Sequence, residues 1–120
     1  MKFICDQLGI NKDILMVVDT GTTITTINEF DAREMKIDYS KLKKNQDSLG
    51  IGGQAKSYFA DSCHLYFGEG IESVDVQPVR FLKQSSVENA IQEQYPSLLG
   101  MDVLKNYKIS FTKSKVILER

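Results

Sequence analysis

Hydrophobic and β-branched residues along the chain occur in short runs, separated by polar or glycine-containing breaks. Runs of this length with frequent turns between them are typical of strands rather than of long helices. The predicted strands cover residues 3–10, 14–18, 22–27, 57–67, 73–80, 109–111 and 116–118. The pattern therefore predicts a mainly β protein with few and short helices.

The spacing of the polar breaks predicts how several of these strands pair. A turn-rich break at residues 11–13 suggests a hairpin between strands 3–10 and 14–18. Because the second of these runs is apolar throughout, we expect it to be buried on both faces. Glu69-Gly70 is a candidate turn between two later strands, and residues 109–118 predict a C-terminal hairpin.

Two segments have helical features. Residues 28–35 begin with Asn28, a favourable N-cap, and residues 101–107 carry apolar side chains at helical spacing. The buried face of the second helix would consist of Val103, Leu104 and Tyr107. Two polar segments are predicted to be exposed: residues 41–45 as a solvated loop, and residues 84–94 as a loop or short helix.

Length and composition narrow the class of protein. With 120 residues, the chain predicts one domain spanning residues 1–120. The 15 basic and 16 acidic residues nearly cancel, which argues against a nucleic-acid-binding protein. No apolar run is long enough for a membrane span, and no signal peptide is evident. We therefore expect no membrane partner. Two cysteines are too few for a disulfide scaffold, so we also expect a reducing, cytoplasmic location.

One carboxylate is a candidate catalytic group. Asp19 directly follows the apolar run 14–18 and precedes Thr20 and Gly21. An ionisable group in such a place is costly to desolvate unless it is hydrogen-bonded or functional. An aspartate that only caps its own turn is the structural alternative. A single carboxylate does not supply both a general acid and a general base, but two chains related by a twofold axis would.

A second candidate site involves the sulfur-containing residues. Cys63 and His64 are adjacent, and together with Cys5 they leave open a metal or thiol site. The alternative is an ordinary strand, in which neighbouring side chains point to opposite faces. No further residue completes a metal site in the sequence, so the strand interpretation is favoured and no metal or cofactor is expected.

Three motifs resemble those of the aspartic proteases, and they occur in that family's order. The motifs are Val17-Val18-Asp19-Thr20-Gly21-Thr22-Thr23, Gly50-Ile51-Gly52-Gly53 and Leu98-Leu99-Gly100-Met101-Asp102-Val103-Leu104. They are similar to the active-site turn, the glycine-rich flap tip and the second signature, respectively. One Asp-Thr-Gly motif in a short chain is similar to the single-domain retropepsins, including cellular and prokaryotic ones. The resemblance implies a closed, mostly antiparallel β-barrel-like fold with a flap hairpin and a short C-terminal helix.

The resemblance also implies a role for each matched residue. The chain would be an endopeptidase that works as a homodimer on an extended peptide or protein substrate. The catalytic turn would be Asp19, Thr20 and Gly21. Substrate would be bound by Gly50, Ile51, Gly52 and Gly53 of the flap and by Ile24 and Val79 as pocket-lining residues. Leu98, Leu99 and Gly100 would form the structural signature beneath the catalytic turn.

Two positions depart from the retroviral pattern. Retroviral enzymes often pair an acidic residue, two positions after the motif glycine, with an arginine just after the second signature's glycine. Here these positions hold Thr23 and Met101, so both partners of the ion pair are missing together. A dimer without this pair has less support, which keeps a second hypothesis open. In that hypothesis the chain is a catalytically silent retropepsin-fold module that binds peptides or dimerises.

Overall fold

The computed structural model describes residues 1–44, 48–50, 53–67, 72–84 and 96–119. Its strands are β1 (Lys2–Cys5), β2 (Ile10–Asp13), β3 (Met16–Val18), β4 (Thr26–Ile27), β5 (Lys43–Lys44), β6 (Ser48–Gly50), β7 (Gly53–Ala60), β8 (Cys63–Phe67), β9 (Glu72–Val76), β10 (Val79–Gln84), β11 (Ser97–Leu99), β12 (Lys108–Phe111) and β13 (Val116–Glu119). The α-helices are α1 (Glu29–Glu34) and α2 (Met101–Leu104), and short 3-10 helices cover Asp6–Leu8 and Tyr39–Lys41. The prediction of a mainly β protein is confirmed.

The strands described here form three sheets. One has the order β2-β1-β8-β9, and β12 and β13 form a separate hairpin. The largest has the order β3-β11-β4-β10-β7-β5, with β6 also paired to β7. Most pairs are antiparallel, but β3 and β11 are parallel, as are β4 and β10. Closure of the strands into a barrel stays a prediction, as does the extent of the single domain.

The hydrophobic core lies between the two larger sheets. Phe3 of β1 and Phe81 of β10 are fully buried, and their rings meet edge to face with centroids 6.0 Å apart. Other side chains that are buried almost completely are Ile27, Leu65, Val76, Val79, Leu99, Val103 and Leu104. Burial of apolar surface is the main favourable contribution to folding, so this cluster fixes the sheets that carry the site. No described helix has the length and apolar character required to cross a membrane.

The predicted N-terminal hairpin is wrong in its pairing. β1 pairs with β2 and β8 and not with β3, so the polar residues 11–13 form a strand instead of a turn. The polar composition of these residues is typical of a turn, and here it arises because β2 is at the edge of its sheet and exposes its side chains. The following strand, β3, leaves for the other sheet and pairs with β11. The expectation that run 14–18 is buried on both faces is also wrong, because Leu15 is 82% and Val17 45% exposed.

Two long predicted strands each divide into two shorter ones. Residues 57–67 contain the end of β7 and all of β8, with a turn at Asp61 and Ser62. Residues 73–80 contain most of β9 and the start of β10, with a bend at Gln77 and Pro78. The predicted loop at 41–45 is wrong in part, because Lys43 and Lys44 pair with β7. The Glu69-Gly70 turn and residues 85–94 lie outside the described residues.

Both predicted helical segments and the C-terminal hairpin are confirmed. The Asn28 side chain accepts a hydrogen bond of 2.7 Å from the Asp31 amide and caps α1. Val103, Leu104 and Tyr107 are buried, and the helical part of their segment ends at Leu104. Residues 109–111 and 116–118 fall within the paired strands β12 and β13, and residues 112–115 connect them.

Cys5 and Cys63 are buried neighbours, whereas His64 faces outward. The antiparallel register of β1 and β8 sets the two cysteines opposite each other, and both are free thiols. His64 Nδ1 instead lies 3.4 Å from an Asp75 carboxylate oxygen on the surface. The alternation expected of a strand therefore separates the histidine from the thiols. Within the described ranges, no three potential ligands converge as a metal site.

The thiol pair predicts a pH dependence of stability. A hydrogen bond from Cys63 lowers the pKa of Cys5 from 9.0 to about 7, and the same bond and burial raise the pKa of Cys63. A pKa that is lowered by folding adds stability above the unfolded value and loses it as the pH falls through the folded value. We expect the free energy of unfolding to rise between pH 7 and 9, then fall as Cys63 ionises only in the unfolded chain.

Denaturant titrations across this pH range measure the effect, with the Cys63→Ala variant as the comparison. Without the thiol donor, Cys5 loses the largest cause of its lowered pKa, and burial and the Asp6 charge then oppose only the backbone hydrogen bonds of Gln7 and Leu8. The rise between pH 7 and 9 should therefore become smaller. A rise of the same size in the variant would contradict the assignment.

Candidate active site

Asp19 is held on a tight turn that follows β3. Its Oδ1 accepts a hydrogen bond of 2.8 Å from the Gly21 amide, and its Oδ2 accepts one of 2.9 Å from the Thr22 hydroxyl. Its backbone amide donates to the Leu99 carbonyl, which ties the turn to β11. Both carboxylate oxygens are therefore oriented by the chain, while the residue remains only half-buried. A carboxylate that is fixed and still accessible fits a catalytic group.

The Asp19 turn interlocks with the turn that connects β11 to α2. The Met101 amide donates to the Thr22 carbonyl at 2.7 Å, and the Asp102 amide donates to the Thr23 carbonyl at 3.1 Å. These two bonds join backbone to backbone, so they do not depend on the identity of the side chains. The two segments are almost 80 positions apart in sequence, yet they form one unit around the carboxylate.

A buried threonine and a second aspartate complete this unit. The Asp102 carboxylate accepts hydrogen bonds from the Thr25 amide at 3.0 Å and from the Thr25 hydroxyl at 2.7 Å. The Thr25 hydroxyl in turn accepts a bond of 3.1 Å from the Gly100 amide. Since Thr25 is fully buried, each of these polar groups needs its partner. The network joins the same two turns that the missing ion pair at Thr23 and Met101 would have joined.

Gly100 is required by the closeness of the two turns. A Cβ atom at this position would lie 2.9 Å from the Ile24 carbonyl carbon and 2.9 Å from the Thr22 carbonyl oxygen. Both are backbone atoms that the interlocked turn holds in place, so neither moves aside cheaply. At Gly21, a Cβ would lie 3.2 Å from Asp19 Oδ1 and would crowd the carboxylate.

The structure brings the predicted catalytic and signature residues together. Leu98 and Leu99 lie in β11 directly beside β3, and Gly100 follows them under the Asp19 turn. Thr20 is exposed and makes no side-chain hydrogen bond to another described residue. Ile24 is half-buried on the loop between the turn and β4.

The predicted flap is present as a hairpin, in which β6 pairs with β7 and Gly50 lies opposite Gly53. Ile51 and Gly52, the two tip residues of the prediction, lie outside the described residues.

Val79 requires a correction. The prediction that it lines a substrate pocket is wrong, because its side chain is completely buried in the core. The next residue of β10, Arg80, points to the opposite face of the sheet, where its guanidinium lies over the Phe59 ring. The prediction failed because the start of β10 at residue 79, and hence the phase of its alternation, is not evident in the sequence.

Three further residues of the site were given no role from the sequence: Thr22 as a donor to Asp19, and Thr25 and Asp102 as the link between the turns. A usable signal was present for Asp102, since a carboxylate interrupts the apolar run 98–104. Its partner Thr25 gave no such signal, because threonines are common in strands.

The comparisons with known proteins agree with this architecture. The family described as "gag-polyprotein putative aspartyl protease" matches residues 9–106, which is most of the chain. The protein therefore belongs to this family of aspartyl proteases. A search of curated protein sequences found no match.

Solved structures show the same fold. A retropepsin-like aspartic protease from Rickettsia conorii is 22% identical, with a TM-score of 0.58 over 98% of this chain and 79% of the other. The EIAV protease, solved in complex with the inhibitor HBY-793, is 11% identical, with a TM-score of 0.52 over 88% of this chain and 84% of the other. The mainly β retropepsin-like fold is thus confirmed.

Removal of the Asp102 carboxylate is expected to destabilise the fold. Asp102→Ala leaves the buried Thr25 amide and hydroxyl without acceptors, at a cost of about 2–4 kcal/mol. Asp102→Asn keeps one acceptor oxygen and should lose about half as much. Urea denaturation measures both, with the exposed Asp61→Ala as the control, expected within about 0.5 kcal/mol of the parent. Equal stability of Asp102→Ala and the parent would contradict the proposed link between the turns.

The close contact at Gly100 gives a separate prediction. Gly100→Ala should cost about 3 kcal/mol or more, because the new methyl group clashes with fixed backbone. Gly9 is the matched control, since it has a φ of 68° but nothing within 4 Å of the place that a methyl group would take. Gly9→Ala should cost only about 1 kcal/mol from backbone strain. Thermal unfolding measures both variants. A larger loss of stability in Gly9→Ala than in Gly100→Ala would contradict the role of the close contact at Gly100.

Proposed function

We propose that the chain is an aspartic endopeptidase that acts as a homodimer, with one Asp19 from each subunit at a shared centre. The observation that carries the proposal is the Asp19 turn, whose carboxylate is oriented through both oxygens and supported from beneath by Gly100. Two interlocked turns and a buried hydrogen-bond network support this carboxylate. An aspartate that only caps its own turn requires neither. Membership in the aspartyl protease family supports the same assignment.

A dimer follows from the chemistry and is supported by the surface. Hydrolysis of a peptide requires a general base and a general acid, and the sequence contains a single Asp-Thr-Gly turn. Apolar side chains that are more than one-third exposed lie before that turn and on the C-terminal hairpin: Leu15, Phe111, Val116 and Ile117. Burial of this apolar surface between two copies would supply the driving force for association.

In the proposed mechanism, the two Asp19 carboxyl groups share one proton, because two adjacent negative charges repel each other. The ionised group takes a proton from a bound water, whose oxygen attacks the carbonyl carbon of the scissile bond. The protonated group donates to the carbonyl oxygen. Collapse of the tetrahedral intermediate breaks the carbon–nitrogen bond, and the leaving amine takes up a proton from the carboxyl pair. The Thr22 hydroxyl keeps Asp19 oriented, and Thr20 bonds across the dimer.

The substrate is an extended peptide with apolar residues beside the scissile bond. Val17, two residues before Asp19, is 45% exposed, and Leu98 beside it is half-buried, so apolar side chains flank the carboxylate. The flap, with Gly50, Ile51, Gly52 and Gly53 at its tip, would close over the peptide by main-chain hydrogen bonds. Ile24 would contact the peptide beside the catalytic turn. The two free thiols support a reducing, cytoplasmic location.

Substitution of Asp19 is the direct test. We expect the parent protein to cleave denatured casein at mildly acidic pH, with activity that rises faster than linearly with enzyme concentration. Asp19→Asn should abolish cleavage, since the amide neither takes nor gives the proton, while the unfolding midpoint stays close to that of the parent. Peptide release and sedimentation velocity at several concentrations measure both properties. Asp61→Asn is the control and should retain full activity.

The outcomes also separate the alternative. A protein that dimerises but cleaves no substrate would support a silent binding or dimerisation module. Equal cleavage by the parent and Asp19→Asn would place the activity elsewhere. A strict monomer at high micromolar concentration would contradict the shared catalytic centre.

A further inference from the structure

A single row of side chains runs across the largest sheet, from β3 to β5. In the strand register, each member of the row lies directly opposite the next. In spatial order, the row consists of Val17, Leu98, Thr26, Arg80, Phe59 and Lys43. Directly paired residues project their side chains to the same face of a sheet. We call this set the cross-sheet row.

The cross-sheet row lies on the face that carries Asp19. Val17 and Asp19 are two positions apart at the end of β3, so their side chains share a face. The neighbours of the row along each strand point the other way: Leu99, Val79 and Phe81 are buried in the core. Within the row, Thr26 is nearly buried, whereas Val17, Leu98, Arg80 and Phe59 each keep part of their surface exposed. We take the row as the floor of the proposed cleft, which leads away from the carboxylate. Its near end is apolar, and a cation occupies its fourth position.

Arg80, this cation, has no ion-pair partner among the residues that the structure describes. Its guanidinium carbon lies 5.6 Å from the centre of the Phe59 ring, and its Nε is buried without a hydrogen-bond partner. No carboxylate of the described residues lies within ion-pair distance of it. The other cation of the row, Lys43, is satisfied by Asp61 at 3.0 Å. A buried donor without an acceptor is costly, so this position is suited to a group that arrives from outside the chain.

The guanidinium selects for a carboxylate. Its planar fork of N–H donors matches the two oxygens of a carboxylate, and the low exposure strengthens such a pair. Three strand spacings of about 4.8 Å separate β3 from β10, or ~14 Å in all. An extended peptide covers this distance in about four residues, and fewer when the side chains reach toward each other.

We propose that Arg80 is a specificity-determining residue that binds a glutamate or aspartate side chain of the substrate, two to four residues from the scissile bond. This inference rests on the proposed function, because it places a peptide over the cross-sheet row. It extends the substrate class from apolar residues beside the scissile bond to an acidic residue farther out. In a symmetric dimer each half of the cleft carries one such arginine.

The first experiment profiles cleavage of a proteome-derived peptide library by the parent protein. Acidic residues should be enriched two to four positions from the cleaved bond. Two matched peptides, with Glu or Gln at the enriched position, should then differ about tenfold or more in kcat/KM. Arg80→Gln should remove this difference and leave cleavage of the Gln peptide within about twofold of the parent. Arg80→Lys, which keeps the charge but loses the fork, should give an intermediate preference.

The matched control is Lys83→Gln on the same strand, where an exposed cation lies over the Tyr39 ring, outside the row. It removes the same charge and should leave the preference for Glu unchanged. The inference is overturned if the library shows no acidic enrichment. It is also overturned if Arg80→Gln retains the preference or lowers cleavage of both peptides equally.

Binding to the Asp19→Asn variant separates this inference from the proposed function. The same library is passed over immobilised Asp19→Asn protein and over the double variant with Arg80→Gln. Retention of acidic peptides by the first protein alone supports the Arg80 site even if the parent protein cleaves nothing. Cleavage that depends on Asp19 without any acidic selection supports the protease and rejects the Arg80 site. Absence of both cleavage and retention rejects both.

Discussion

The contact between two distant turns is the constraint on which the rest of the site depends. Within itself, the Asp19 turn is held by the bonds from Gly21 and Thr22 to its carboxylate and by the Thr22 amide, which donates to the Asp19 carbonyl. Its position in the fold comes from the turn at Gly100, which lies against its backbone and is joined to it through buried Thr25. The core beneath both turns and the parallel pairing of β3 with β11 hold this contact in place.

Much of the fold was predictable where local patterns act alone. The capped helix after Asn28 and the C-terminal hairpin need only their own residues to be recognised. The pairing of β1 and the departure of β3 to another sheet were not predictable, because they depend on which distant strands offer free edges. The polar strand at residues 11–13 is an example of an element that local patterns do not predict. Its composition fits a turn, and only its place at a sheet edge makes it a strand.

The candidate site divides in a similar way. Asp19 was identified because it follows an apolar run, whereas Gly100 was identified through the resemblance of its motif to the second signature of the aspartic proteases. The bond from Thr25 to Asp102 spans 77 positions, and no local rule connects its ends. Val79 and Arg80 differ by one position, which in a strand decides between the core and the opposite face of the sheet. Sequence reasoning merged the first residues of this strand with the preceding strand, so its phase was not predicted.

The long separation between the two turns also orders events during synthesis. Asp19 leaves the ribosome well before Gly100 and Asp102, the residues that hold its turn, because they lie about 80 positions later. Since the supporting contacts are absent until then, the carboxylate is not positioned while most of the intervening chain is being made. A nascent chain that stops short of the second turn thus has no organised site. Any activity that depends on a positioned Asp19 carboxylate therefore begins only after both turns have been made.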